Sequence, residues 1–311
     1  MSRTTTTRRP PHTVDFCFGG LTDEYTNLDT AHAVILPVPY DGTVSYMSGS
    51  RLGPRALLTA SQSMELYDEE LGAFYEHGIH TLPDLEIQSD AKTTIDRVEA
   101  ATEWGLEQDK CMILVGGEHS LTSGAVRAHA RKYPKLSVVH FDAHGDLRQA
   151  LNGTEWSHGS VMRRVREIVP VAAQVGIRSI SEEEAELIAE KKWPIFGARK
   201  VRAMKGDYAA IAESLTEDVY ITVDLDCFDP AVCPGVGTPE PGGLDWYELT
   251  GIVAEIAKRR RIVGFDIMEL MPLAGQIVSD FTASRLLYRM WGWTLISQGK
   301  MPPPGPGTSV L

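Results

Sequence analysis

Three apolar runs of the chain end in carboxylates or imidazoles. Val138 to Asp146 reads Val-Val-His-Phe-Asp-Ala-His-Gly-Asp, so Asp142, His144 and Asp146 alternate after a run of β-formers. Val219 to Pro230 reads Val-Tyr-Ile-Thr-Val-Asp-Leu-Asp-Cys-Phe-Asp-Pro and sets Asp224 and Asp226 two apart in the same way. Met112 to Ser120, Met-Ile-Leu-Val-Gly-Gly-Glu-His-Ser, carries His119 past its end. If each run is a buried strand, residues two apart leave it on one side. A mixed oxygen and nitrogen set of this kind suits a borderline divalent metal such as manganese, zinc, iron or nickel. Burying four ionised carboxylates together is costly unless cations compensate them. The six residues His119, Asp142, His144, Asp146, Asp224 and Asp226 exceed the four ligands of a tetrahedral zinc. Two cations sharing bridging carboxylates would use them all.

The elements that must position these residues read as alternating strands and helices. Ala31 to Val38 is an apolar strand that runs into the turn signal Pro39-Tyr40-Asp41-Gly42. A helix begins near Arg55, with Pro54 in its first turn. Helical patterns follow at 95–108, 121–133, 160–168, 207–215, 244–258 and 280–297, and Ser181 with Glu184 forms a capping box that opens another to about Lys191. Between them lie the three runs above and strands at 173–177 and 261–267. Continuously apolar strands alternating with helices predict an α/β fold whose parallel sheet is covered on both faces. Sites in such sheets form past the carboxyl ends of the strands, where the six residues fall.

The chain has 311 residues and a net charge of −12, with a pI near 5.2. Its length suits one α/β core. With no basic surplus it is not built to neutralise phosphates, which argues against nucleic acid as a partner, whereas a cationic substrate is compatible with the charge. No apolar run nears the ~20 residues that span a bilayer, so no membrane partner is expected. Cys17, Cys111, Cys227 and Cys233 form no Cys-x-x-Cys pair, and free thiols in a reducing cytoplasm are expected. Residues 1–20 are expected to be a disordered tail, although Arg3, Arg8 and Arg9 without an acid leave an organelle-targeting role open. The Pro/Gly-rich stretch 301–311 is expected to be a second tail. Gly235 to Gly243 lacks Gly-x-Gly-x-x-Gly and is not a nucleotide fingerprint.

The motifs resemble those of the ureohydrolase family of arginases, agmatinases and relatives: Gly-Gly-(Glu/Asp)-His-Ser, Asp-Ala-His-x-Asp, and Asp-x-Asp-x-x-Asp-Pro followed by Pro-Gly and a Gly-Gly pair. Here they stand as Gly116 to Ser120, Asp142 to Asp146, and Asp224 to Pro230 with Pro234-Gly235 and Gly242-Gly243. The resemblance spans roughly Ala33 to Trp293. One departure is Ser48, which replaces the first proline of the family's Pro-Gly-x-Arg-x-Gly-Pro segment.

The resemblance implies a three-layer α/β/α arginase-like fold with a mainly parallel central sheet, in a single catalytic domain over 21–300. It implies two manganese ions, with nickel, cobalt and zinc also open. His119, Asp142, Asp146 and Asp224 would hold one, and Asp142, His144, Asp224 and Asp226 the other. A metal-bridging hydroxide would attack the guanidinium carbon and release urea and an amine, with Asp146 passing the proton to the leaving amine. Glu269, at the end of Val263 to Glu269, matches the acid that pairs with a planar guanidinium. His158, in Trp156-Ser157-His158-Gly159, matches the active-site histidine, and an imidazole suits proton transfer near neutrality. Homo-oligomers, trimers or hexamers, are also implied.

Three nearby residues are read differently. His140 is expected to be a satisfied core histidine, Asp229 a turn residue, and Asp266 is left unassigned near the site. The loop Leu147 to Ser157 lacks the arginase head-group pattern and resembles the agmatinase form, so conversion of agmatine to putrescine is the expected reaction. Glu155 is a candidate for the ammonium tail of that substrate. Arg148 instead favours a carboxylate tail, as in 4-guanidinobutyrate or 3-guanidinopropionate, and arginine and guanidine stay open too. A mono-zinc deacetylase-like hydrolase and a non-catalytic metal-holding member are the alternatives of other classes.

Overall fold

Alternate residues along one strand enter opposite cores. In β1 (Ala33–Val38), Val34, Leu36 and Val38 belong to one apolar cluster, and Ala33 and Ile35 to a second. Every residue of β1 is therefore buried, which is why its sequence shows no polar alternation. The structure, a computed structural model, describes residues 16–305.

The remaining strands are β2 (Ile79–Thr81), β3 (Cys111–Gly116), β4 (Ser137–Phe141), β5 (Val171–Val175), β6 (Ile195–Phe196), β7 (Asp218–Asp224) and β8 (Arg261–Met268). They form one sheet in the order β2-β1-β3-β8-β7-β4-β5-β6, and every neighbouring pair is parallel. The helices are α1 (Asp23–Thr26), α2 (Gly53–Ser61), α3 (Ala91–Glu107), α4 (Thr122–Lys132), α5 (Val161–Ile168), α6 (Glu182–Lys191), α7 (Ala198–Met204), α8 (Ala209–Glu213), α9 (Trp246–Arg259) and α10 (Val278–Ser297). Leu57 of α2, Ile252 of α9 and Leu286 of α10 join the cluster on one face of the sheet. Val98 of α3, Val126 of α4 and Val165 of α5 join the other. The three-layer α/β/α architecture with a parallel sheet is thus present.

Several local expectations need correction. Strand β4 stops at Phe141, so Asp142, His144 and Asp146 lie on the loop beyond it and their placing is not that of strand alternation. The helix expected over 207–215 is the short α8, preceded by an unexpected α7. Helix α3 begins four residues early because Asp90 caps it, accepting from the Thr93 N–H at 2.8 Å. The expected N-terminal tail is too long at its inner end: Phe18 is fully buried and stacks on Tyr288 at 6.2 Å, a burial worth about 2 kcal/mol. The rest of that tail, 1–15, and residues 306–311 lie outside the described residues. No helix among the described residues is long and apolar enough to cross a membrane.

Behind the sheet's carboxyl edge, α4 buries His129 completely. A Cβ on Gly264 of β8 would stand 2.3 Å from its Nε2, so the glycine leaves room for the ring. His129 Nδ1 lies 2.8 Å from the Ala125 carbonyl oxygen, and burial lowers the imidazole to about 4. An unfolded histidine takes up its proton near pH 6.5, so the stability from keeping this ring neutral is full above that pH and is lost as pH falls toward 4. Urea unfolding from pH 7 to 4 should therefore cost the wild type roughly 3 kcal/mol more than it costs His129→Gln. Equal losses in the two proteins would show that His129 does not set this slope.

Candidate metal centre and substrate cavity

Four adjacent strands, β3, β8, β7 and β4, deliver the candidate residues to one edge. His119 follows β3 across Gly117, where a Cβ would fall 1.9 Å from the Tyr40 carbonyl oxygen and only glycine fits. The backbone there is tied to β1 and β8: the Gly117 N–H donates to the Val38 carbonyl at 3.0 Å, and the Glu269 N–H to the Gly117 carbonyl at 2.8 Å.

His119 is fully buried, with Nε2 2.7 Å from Thr222 Oγ1 of β7. Its Nδ1 faces three carboxylates: Asp142 Oδ2 at 3.2 Å, Asp224 Oδ2 at 3.3 Å and Asp146 Oδ2 at 3.7 Å. His144 Nδ1 lies 2.9 Å from Asp226 Oδ2 and 3.5 Å from Asp142 Oδ1. Asp142 therefore turns one oxygen to each histidine and belongs to both groupings of donor atoms. Asp224 sits with the His119 group, while its Oδ1 accepts the Asp226 N–H at 2.9 Å.

The charges do not balance. Burial and the charge of Asp142 hold Asp146 well above the usual carboxylate range, and burial with Asp224 and Asp142 does the same to Asp226. Asp142 moves the other way, because His140, His119 and His144 outweigh its burial and hold it well below. His119 Nδ1, His140 Nε2 and Asp142 Oδ2 are buried and crowd together, and apart from their close approach to one another none has a hydrogen-bond partner. Convergent bare donors of mixed oxygen and nitrogen type, in excess negative charge, fit divalent cations.

The expectation that His140 is a satisfied core histidine is half the story. It is fully buried, and its Nδ1 takes a bond from Gln174 Nε2 at 3.1 Å. The Gln174 amide oxygen accepts from Arg166 at 3.0 Å, which fixes the amide's orientation. His140 therefore turns Nε2 toward Asp142 Oδ2, 2.8 Å away. Gln174→Leu should weaken divalent-cation binding at the Asp142 cluster about 10- to 100-fold, as loss of support behind a metal-binding carboxylate does. Titration with the ion would show this, and an unchanged affinity would reduce Gln174 to core packing.

Asp266 also takes a place: it accepts from Thr122 Oγ1 and Tyr220 Oη, each at 2.9 Å, and Thr122 lies 3.2 Å from the Thr222 hydroxyl that meets His119. Asp229 is a turn residue, as expected, accepting from the Gly242 and Ala231 N–H groups. The side chain of Arg178 was not visible as functional in the sequence. It donates to the carbonyls of Asp226, Phe228 and Glu240 at 2.8, 3.1 and 2.7 Å and so clamps the loop that carries Asp226.

A cavity of about 290 Å³ opens over these residues, lined among others by Tyr46, Arg148, His158, Thr238 and Glu269. Glu269 has φ +65° and Asp146 +52°, left-handed conformations that cost about 1–2 kcal/mol each and gather at functional sites. Burial, Asp224 and Glu118 push Glu269 well above the usual carboxylate range. One of its oxygens accepts the His119 N–H at 2.7 Å. Glu155 corrects the expectation made of it: it does not line the cavity, because the buried guanidinium of Arg164 engages it at 2.9 Å. Arg148 lines the cavity and has no ion pair among the described residues.

Residues 31–292 match the profile of the arginase family. The chain belongs to the arginase family. This arginase-family chain is 40% identical over 289 residues to an N(1)-aminopropylagmatine ureohydrolase of Synechocystis sp., covering 88% of this chain and 93% of the relative. It is 33% identical to an agmatinase of Bacillus subtilis, covering 84% and 91% of the two chains. Among solved structures, the agmatine ureohydrolase of Thermoplasma volcanium superposes with a TM-score of 0.84 at 30% identity, covering 93% and 97%.

Proposed function

We propose that this arginase-family hydrolase releases urea from a guanidino group at the end of a linear cationic chain, agmatine or its aminopropyl-extended form. One observation carries the reading: Glu269 and His158 line a single cavity together with members of both groups of metal-type donors, Asp146 of one and His144 and Asp226 of the other. The relatives' names support the substrate class, and four of them act on the aminopropyl form. In this reading 21–300 is one catalytic domain in the cytoplasm, and the exposed apolar surface of Ile277 and Val278 supports assembly with copies of itself.

His119, Asp142, Asp146, Asp224, His144 and Asp226 would hold two divalent ions, manganese in this reading. Bound there, such ions acidify a water and stabilise developing charge. The protein groups do the rest. Glu269 pairs with the guanidinium and fixes its carbon over the attacking oxygen. Asp146 takes a proton from the attacking water and passes it to the leaving nitrogen, so that water and guanidine become urea and an amine. His158 carries protons between the cavity and solvent.

The test is urea release by manganese-loaded enzyme from agmatine, N(1)-aminopropylagmatine, arginine, 4-guanidinobutyrate, 3-guanidinopropionate and free guanidine. Turnover of the first two above the rest supports the reading. Preference for a carboxylate-tailed guanidine would overturn the substrate class and point to Arg148. Urea from none would leave the non-catalytic reading.

A further inference from the structure

A buried acid outside the candidate metal set reaches His158 through one hydroxyl. Glu118, between Gly117 and His119, is fully buried and accepts three bonds. They come from the Thr43 N–H at 2.6 Å, the Thr43 hydroxyl at 2.6 Å and the Ser120 hydroxyl. No step of the proposed reaction uses this carboxylate, yet three donors from two segments converge on it.

Thr43 stands between that carboxylate and the imidazole. Its Oγ1 also accepts the His158 backbone N–H at 3.1 Å and lies 3.3 Å from His158 Nδ1. A hydroxyl has a single proton. Thr43 gives that proton to Glu118, which as a carboxylate can only accept. Toward His158 the same oxygen can then only accept, so the hydrogen on the neutral ring must reside on Nδ1. Nε2 is left with its lone pair, 3.3 Å from Ser45 Oγ at the cavity wall.

We propose that Glu118 and Thr43 are positioning residues that hold neutral His158 as the Nδ1–H tautomer, with Nε2 unprotonated beside Ser45 at the cavity wall. The proposal rests on the reading of His158 as the proton carrier. The tautomer itself is a property of the ground state and can be read without turnover. A ring held the other way would present a hydrogen where a lone pair is needed, and it would have to turn over or exchange protons before each transfer. The Glu-His-Ser motif then acts in two directions, since His119 faces the carboxylates while Glu118, through Thr43, fixes a histidine from another loop.

The experiment is magic-angle-spinning NMR of manganese-free enzyme labelled with ¹⁵N at its nine histidines, above pH 7.5, with His158 identified by its loss in His158→Asn. The expected wild-type result is a protonated Nδ1 and an unprotonated Nε2. Thr43→Ser should keep that pattern, and Thr43→Val should lose it. Kinetically, Thr43→Val should lower kcat on the order of 10- to 100-fold with KM nearly unchanged, and Thr43→Ser should restore it. A protonated Nε2 in the wild type overturns the relay, as does a pattern indifferent to Thr43→Val, whatever the rates. Full activity in His158→Asn would instead overturn the proton-carrier reading and leave the tautomer measurement standing. The wild-type and Thr43→Ser spectra decide the matter even where Thr43→Val does not fold.

Discussion

Replacing Asp142 by asparagine should lower urea release on the order of 1,000-fold, about 4 kcal/mol of barrier. The shape of the side chain survives, and an amide oxygen can still face one histidine. What is lost is the charge shared between two groups of donors: Asp142 Oδ2 lies 3.2 Å from His119 Nδ1 and Oδ1 lies 3.5 Å from His144 Nδ1. The amide nitrogen put in place of one oxygen would repel any cation it met. Metal analysis after dialysis should show the variant retaining fewer ions per chain than the wild type. Turnover within tenfold of wild type at saturating manganese would sink the bridging role.

Glu269→Gln should leave the metal content intact and lower kcat/KM on the order of 100- to 1,000-fold. Its backbone lies in the left-handed region and one oxygen is already engaged by the His119 N–H, so the carboxylate is held before any substrate arrives. Pushed above its usual range by enclosure, Asp224 and Glu118, it gains most from a partner that brings a positive charge. A guanidinium does so with a planar pair of N–H groups matched to a carboxylate. Glutamine can still accept the His119 N–H but cannot supply the second charged contact. If the variant bound guanidinium inhibitors as tightly as the wild type, the acid would have another purpose.

The edge of the sheet was legible because the sequence there obeys two rules together. Continuous apolar runs fixed β3, β4, β7 and β8 as doubly covered strands, and charged residues at their exits had nowhere to go but a shared edge. The backbone beyond the strands was not legible. Asp146 and Glu269 take positive φ, and no spacing rule reports a left-handed turn at a residue that is not glycine. Strands β2 and β6, Ile79–Thr81 and Ile195–Phe196, are too short to show a period, so the sheet's flanks went unseen. Partners far apart in sequence were missed for a different reason. Thr43 meets His158 across 115 positions, and nothing in Gly42-Thr43-Val44 announces it. Gln174 offered a fainter clue, as a lone amide in the apolar Val171–Val175. Glu155 misleads because acidity near the candidate metal motifs suggests a role there, while the buried charge it serves, Arg164, belongs to α5.

The strand made last stands in the middle. Strand β8 pairs with β3 on one side and β7 on the other, so the ladder has no other link between the β2-β1-β3 half and the β7-β4-β5-β6 half. On a nascent chain, which emerges N-terminal end first, Asp142, His144 and Asp226 all belong to the second half. That grouping can close once β7 has paired with β4. His119 belongs to the first half and meets Asp142, Asp146 and Asp224 only after residues 261–268 have threaded between two open strand edges. The two groupings of donors therefore differ in what completes them, one lying within a half-sheet and the other spanning the gap that β8 fills.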